Sequence, residues 1–228
     1  MHSWRKHGAG FAVLVARISR GPDILLVAAP DLRAALRSET ARLHDQLDMT
    51  MHEVAGWTSR EDYARFLSLQ YAARRPVEAW LDQNAPTDSL PPAQTPRIAQ
   101  DLAALGHDLP SPATSFTMAS AADDDSLASA ALGAAWVLAG SSLGNRAILA
   151  EMRKGSGDAA TWPHAFLGDD AMLTFWKSLR RRIERPADPA EVQAASAAAQ
   201  SVFDHFLCVV TPHRDHTKPA QVLAAKAS

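Results

Sequence analysis

A single cysteine, Cys208, stands in 228 residues. With no second thiol the chain cannot close an internal disulfide, and with no CxxC pair it cannot build a cysteine-based structural zinc site, a pattern that fits a reducing compartment. The cytoplasm is the expected location. Neither sign of charge is in excess: 23 Lys and Arg stand against 25 Asp and Glu, for a net charge of −2 and a pI near 6.5. Such a balance carries no electrostatic footprint for nucleic acid or for an anionic membrane surface. Near the N-terminus the apolar runs 11–16 and 24–27 are broken by Arg17, Arg20 and Asp23. They are too short to span a bilayer, which takes about 20 apolar residues, and too interrupted for a secretory signal. Residues 1–30 are expected to be a leader, poorly ordered or accessory. A dinucleotide fingerprint is also missing, and Gly155-Ser156-Gly157 is not a phosphate loop, because its lysine precedes it and no strand leads in. There is no internal repeat, and alanine richness is the one compositional bias.

What is present is a helical period. At 47% apolar the chain can bury one substantial core, and Ala, Leu, Glu, Arg and Gln dominate without any sustained Val/Ile/Thr alternation. The expected class is all-α, a single multi-helix domain over residues 31–210 followed by a tail, 211–228. A first helix starts from Asp31 as N-cap and carries the stripe Leu32, Leu36, Thr40, Leu43, Leu47 to about Met51. A second begins at Thr58 or Ser59, with Glu61 and Asp62 at the positive end of its dipole, and Pro76 predicts a kink or restart before Trp80. A short helix over 96–105 stops at Gly106. A long apolar helix follows Asp123-Asp124-Asp125 and ends near Lys154, and two more cover about 169–184 and 189–209. Trp57, Trp80, Trp162 and Trp176 are expected to be packing residues.

Inside the long apolar helix lies Gly140-Ser141-Ser142-Leu143-Gly144. A glycine in a helix interior costs roughly 1 kcal/mol relative to alanine, so two of them spaced i, i+4 require a use: a closely packed second helix, or a flat ligand lying on the bare backbone. Among the nine histidines, His44 is the one beside a strong apolar stripe. Arg37, seven residues earlier, returns to nearly the same face about 10 Å away at the helical rise, where it could meet a carboxylate at the edge of a large flat ligand. His52, His107, His164 and His205 have no metal-ligand company at useful spacing. In the tail, His213-Arg214-Asp215-His216 reads as a solvated cluster before a metal site.

The segment Leu36-Arg37-Ser38-Glu39-Thr40-Ala41-Arg42-Leu43-His44 resembles the proximal-helix pattern LR-x-x-T-x-x-x-H of haem oxygenases. Further elements agree in order. Tyr63-Ala64-Arg65-Phe66-Leu67 with Pro76-Val77-Glu78 is similar to that family's second helix, and residues 97–106 to its R-x-x-x-DL-x-x-LG element. Ala131-Leu132-Gly133 through Gly144 resembles the bacterial distal helix, LG-x-x-YVLEGS-x-LGG. Here Trp136, Ala139 and Asn145 replace the usual tyrosine, glutamate and second glycine.

The resemblance implies an all-α haem oxygenase fold and residue roles to match. His44 would be the axial ligand of haem iron. Gly140, Ser141, Gly144 and Asn145 would lie against the opposite haem face, and Arg37 and Lys177 would meet the propionates, with Arg181 and Arg180 competing for the same task or forming a solvated basic face. The activity implied is cleavage of haem b with O2 to biliverdin, carbon monoxide and ferrous iron. Haem is then substrate and oxygen-activating centre at once. Electrons would come from a ferredoxin or reductase, and a biliverdin-using phytochrome is a candidate partner. Two alternatives stand beside this: a homologue that binds haem without turning it over, and a helical interaction module in which the glycines serve packing and His44 is merely buried.

Overall fold

The structure, a computed structural model, describes residues 31–111, 115–118, 123–154 and 158–214. The expected leader, Gly155-Ser156-Gly157 and residues 215–228 lie outside them. Six α-helices run among the described residues: α1 (Leu32–Val54), α2 (Arg60–Asn84), α3 (Thr95–Leu105), α4 (Asp124–Lys154), α5 (Asp170–Ile183) and α6 (Pro189–Val210). No strand occurs among these residues; one isolated bridge joins Asp31 to Pro186. The all-α expectation holds.

The helix ends follow local chemistry. Asp31, Ser59, Asp169 and Asp188 each accept backbone N–H groups of the first turn of α1, α2, α5 and α6. α3 stops at Gly106, whose φ of 79° puts it in the left-handed region that glycine enters without penalty. Of the kink or restart expected at Pro76, the restart is corrected, because α2 runs through it as one helix. Proline costs one backbone hydrogen bond there. On either side Ala73, Val77 and Leu81 are fully buried against Ala131, Ala134, Leu138, Val202 and Phe206, and that packed face holds the helix together across the proline.

α4 is the central element. By length and composition it could cross a membrane, yet half of its apolar window is buried inside the protein, where it packs along α6. The tightest crossing is at Gly133: a Cβ built there would sit 2.0 Å from the carbonyl oxygen of Ala195. α1 also lies along α6, and its Leu32 and Leu36 share a buried cluster with Leu132, Ala135 and Ala139 of α4. Trp162 and Trp176 are buried core residues, and Trp57 and Trp80 pack at its edge.

Candidate functional site

On α6, Phe203 and Leu207 form a small apolar cluster with Leu43 of α1. Leu47 of α1 and Trp136 and Val137 of α4 pack against it from either side. This cluster is the floor between α1 and α4, and the residues singled out in sequence rise from its two margins.

On the α1 side, His44 puts its ring edge-on to Phe203, with centroids 5.9 Å apart. It is not buried: its side chain is 58% exposed, and its Nδ1 lies 3.3 Å from Asp48 Oδ2, one turn further on. The carboxylate beside Nδ1 is a solvent-exposed partner, and Nε2, which has no partner among the described residues, is the available ligand atom. Asp48 was not singled out in sequence, although the i, i+4 spacing carried the signal. Arg37 is exposed on the same stripe of α1.

On the α4 side, Trp136, Gly140, Leu143, Gly144 and Ala147 recur on one helical stripe. The stripe turns outward as it leaves the floor, from half-buried Trp136 and Gly140 to Leu143, 53% exposed, and to exposed Gly144 and Ala147. The two glycines differ from Gly133. A Cβ at Gly140 would meet only the ring edge of Trp176, 3.6 Å away and in ordinary contact, and at Gly144 it would meet nothing within 4 Å. Of the two uses open in sequence, close helix packing belongs to Gly133, and the bare backbone at Gly144 faces open space. Asn145, one residue on, is buried and so turns away from the face that Gly144 presents.

Behind this segment lies a residue that sequence reasoning missed. Arg74 of α2 is 1% exposed. Its Nε donates to Gln70 Oε1 at 3.0 Å and its Nη2 to Ser141 Oγ, and its guanidinium lies over the Phe166 ring, 5.1 Å from the centroid. Ser141 in turn donates to the Leu138 carbonyl, and Ser142 to that of Ala139. No carboxylate touches Arg74, and its Nη1 is buried without an acceptor. Burial pushes its pKa down to about 10, with the charge of Glu78 acting the other way, so the group is cationic at neutral pH. An arginine on a helix is ordinarily a surface residue, which is why nothing in the pattern marked it.

The remaining cations sort themselves by partner. Arg180 is committed to Glu184, its Nε donating at 2.8 Å, and Arg33 shares that carboxylate. Arg182 pairs with Asp88 and Arg185 with Glu191. Lys177 and Arg181, exposed on one stripe of α5, have no ion pair among the described residues, and neither has Arg37. α5 meets α1 through Leu32, Leu36, Trp176, Leu179 and Ile183, so these unpaired cations belong to neighbouring helices.

The residues present fit a haem. They offer an imidazole with a free Nε2, an apolar stripe that lacks a Cβ at Gly140 and Gly144, two buried donors without acceptors, Trp136 Nε1 and Arg74 Nη1, and cations with no carboxylate of their own. No group of three or more His, Cys, Asp or Glu side chains that could hold a metal ion occurs among the described residues.

The fold is similar to that of the haem oxygenase from Neisseria meningitidis, solved in its NO- and CO-bound forms, with a TM-score of 0.58 at 21% identity over 85% of this chain and 96% of that one. No family model and no curated protein matches the chain. At that identity the likeness establishes the all-α architecture.

Proposed function

We propose that this chain is a haem oxygenase, opening haem b to biliverdin, carbon monoxide and ferrous iron with O2 and electrons from a separate ferredoxin or reductase. One observation carries the reading: both α1 and α4 pack on α6, with His44 against Phe203 on the α1 side and a stripe of α4 bared at Gly144 on the other. The neighbour's fold supports it.

Haem, when bound, supplies both the iron that activates O2 and the carbon skeleton that is oxidised. The protein's share is binding, orientation and exclusion of water. His44 would hold the iron through Nε2, with Asp48 beside Nδ1 biasing the ring's orientation. Gly140 and Gly144 let the macrocycle approach the α4 backbone, and the Leu43, Val137, Phe203 and Leu207 side chains keep its inner edge dry. Arg37, Lys177 and Arg181 would hold the propionates by charge-assisted hydrogen bonds and so orient the ligand. Ser141, held by Arg74, presents a hydroxyl whose proton already points at the Leu138 carbonyl. The reading places the chain in haem catabolism, and a biliverdin-using phytochrome as partner and a cytoplasmic location are proposed with it.

Reconstitution of the full chain with haemin, followed by reduction with ascorbate or a ferredoxin system, tests it. Loss of the Soret band with growth of biliverdin absorbance is the expected result. A Soret band that persists through reduction identifies the alternative, a haem-binding protein without turnover.

A further inference from the structure

A second concave site lies on another side of α4. Arg146 and Arg153 are seven residues apart and so share a stripe, roughly half a turn around the helix from Gly140 and Gly144. They line a cavity of about 830 Å³ with Arg97 of α3, His164 and the N-terminal turn of α5. Its size is in the range of pockets that take a small metabolite, about 300–1,000 Å³.

The walls are held rigidly. Asp101 accepts the backbone N–H groups of Ala165 at 2.8 Å and Phe166 at 2.9 Å, pinning the loop that carries His164. Asp169 caps α5 through Met172 N, accepts from Gln94 Nε2 at 2.9 Å and pairs with Arg97 at 3.0 Å. Gly168 closes the loop, since a Cβ there would come 3.0 Å from the His164 carbonyl. Such anchoring lowers the ordering cost of binding.

The charges are unbalanced. Three guanidiniums face two carboxylates, Asp169 and Asp170. Asp169 is spent on its cap and on Arg97. Asp170 reaches Arg146 from a side chain that is 90% exposed, a pair that solvent makes weak and a ligand can displace. Arg153 has no carboxylate at all among the described residues. Its Nη2 lies 3.4 Å from His164 Nε2, while His164 Nδ1 lies 2.8 Å from the Trp162 carbonyl. A carbonyl only accepts, so Nδ1 is the donor there, and Nε2 is the ring atom that faces Arg153. Arg153 thus has a ring nitrogen for its neighbour and no carboxylate, at the edge of an open pocket.

The geometry points to a binding site for a small molecule carrying two or more negative charges, a phosphate ester or a polycarboxylate, gripped by Arg153 and Arg146 with Arg97 at the far wall. Guanidinium forks match both oxyanions in bidentate fashion. The site is independent of the haem reading, being built from different residues on a different face.

Isothermal titration of the full chain at low ionic strength with pyrophosphate and, separately, with citrate tests the inference. Saturable one-to-one binding of either probe is expected, weakened at least tenfold by Arg153→Gln and by Arg146→Gln, a loss of about 1.4 kcal/mol. Haemin titration of the same variants is expected to match the wild type. Tighter pyrophosphate binding assigns the phosphate class and tighter citrate binding the carboxylate class. No saturable heat with either probe up to about 5 mM, a range that covers weak metabolite sites, overturns the inference, as does binding that survives both substitutions. Arg153 is exposed, and Arg153→Lys, which keeps the charge and loses the fork, supplies a second folded variant expected to bind more weakly than wild type.

Discussion

Two stretches of α4 use glycine in opposite ways. At Gly133 the missing Cβ is filled by another backbone, the Ala195 carbonyl of α6; at Gly144, eleven residues along the same helix, the missing Cβ leaves empty space. The first glycine is explained by the fold alone, and the second is not, since it carries the helix penalty of roughly 1 kcal/mol and returns no contact within the protein. The difference separates a packing device from a surface left bare, and the proposed reading places a flat apolar ligand on that bare surface.

Alanine at the two positions breaks the comparison most sharply. Gly133→Ala forces α4 and α6 apart and is expected to cost about 3 kcal/mol or more, whereas Gly144→Ala is expected to stabilise the protein by up to about 1 kcal/mol while weakening haemin binding. Urea unfolding of both variants reads the contrast, and equal destabilisation would remove it. Next in size is Arg74→Met. An unpaired buried cation exchanged for an apolar side chain is expected to be neutral or stabilising by about 1–3 kcal/mol; a loss above about 2 kcal/mol would mean that the cation is internally compensated. A smaller change is expected for Arg37→Ala, with haemin held less tightly or a shifted mixture of biliverdin isomers and stability unaltered; unchanged affinity and unchanged product would remove its propionate role.

The least effect comes from His205, which burial holds below the usual histidine range against a bond with the Ala73 backbone. Because the folded pKa lies below the unfolded value near 6.5, the unfolded chain takes up the proton first as pH falls. The contribution is therefore complete above about pH 6.5 and is lost below it. Thermal melts from pH 8 to 5 are expected to fall more steeply for wild type than for His205→Gln.

Much of the architecture is legible in the chain. The apolar stripe of α1, the caps at Asp31 and Ser59 and the stop at Gly106 are local signals, and the helices follow them. The continuity of α2 through Pro76 is not local, because the buried face spanning Ala73 to Leu81 outweighs one lost hydrogen bond. Every glycine in α4 carries the same penalty in sequence, so only the helix placement tells Gly133 from Gly144. At the site, His44, Arg37 and Gly140 to Gly144 could be named from spacing and resemblance. The exposure of His44 and its pairing with Asp48 correct any picture of a buried histidine, and Arg74 is invisible until three helices close around it.

The central claim is that His44 supplies the ligand atom facing the bared stripe. Haemin titration of wild type and His44→Ala, read by the Soret band with circular dichroism as the folding control, tests it most directly. One equivalent of histidine-ligated haem in the wild type, with that spectrum lost in the variant at unchanged helicity, is the predicted result; identical spectra for the two proteins, or no saturable binding by the wild type, would contradict it.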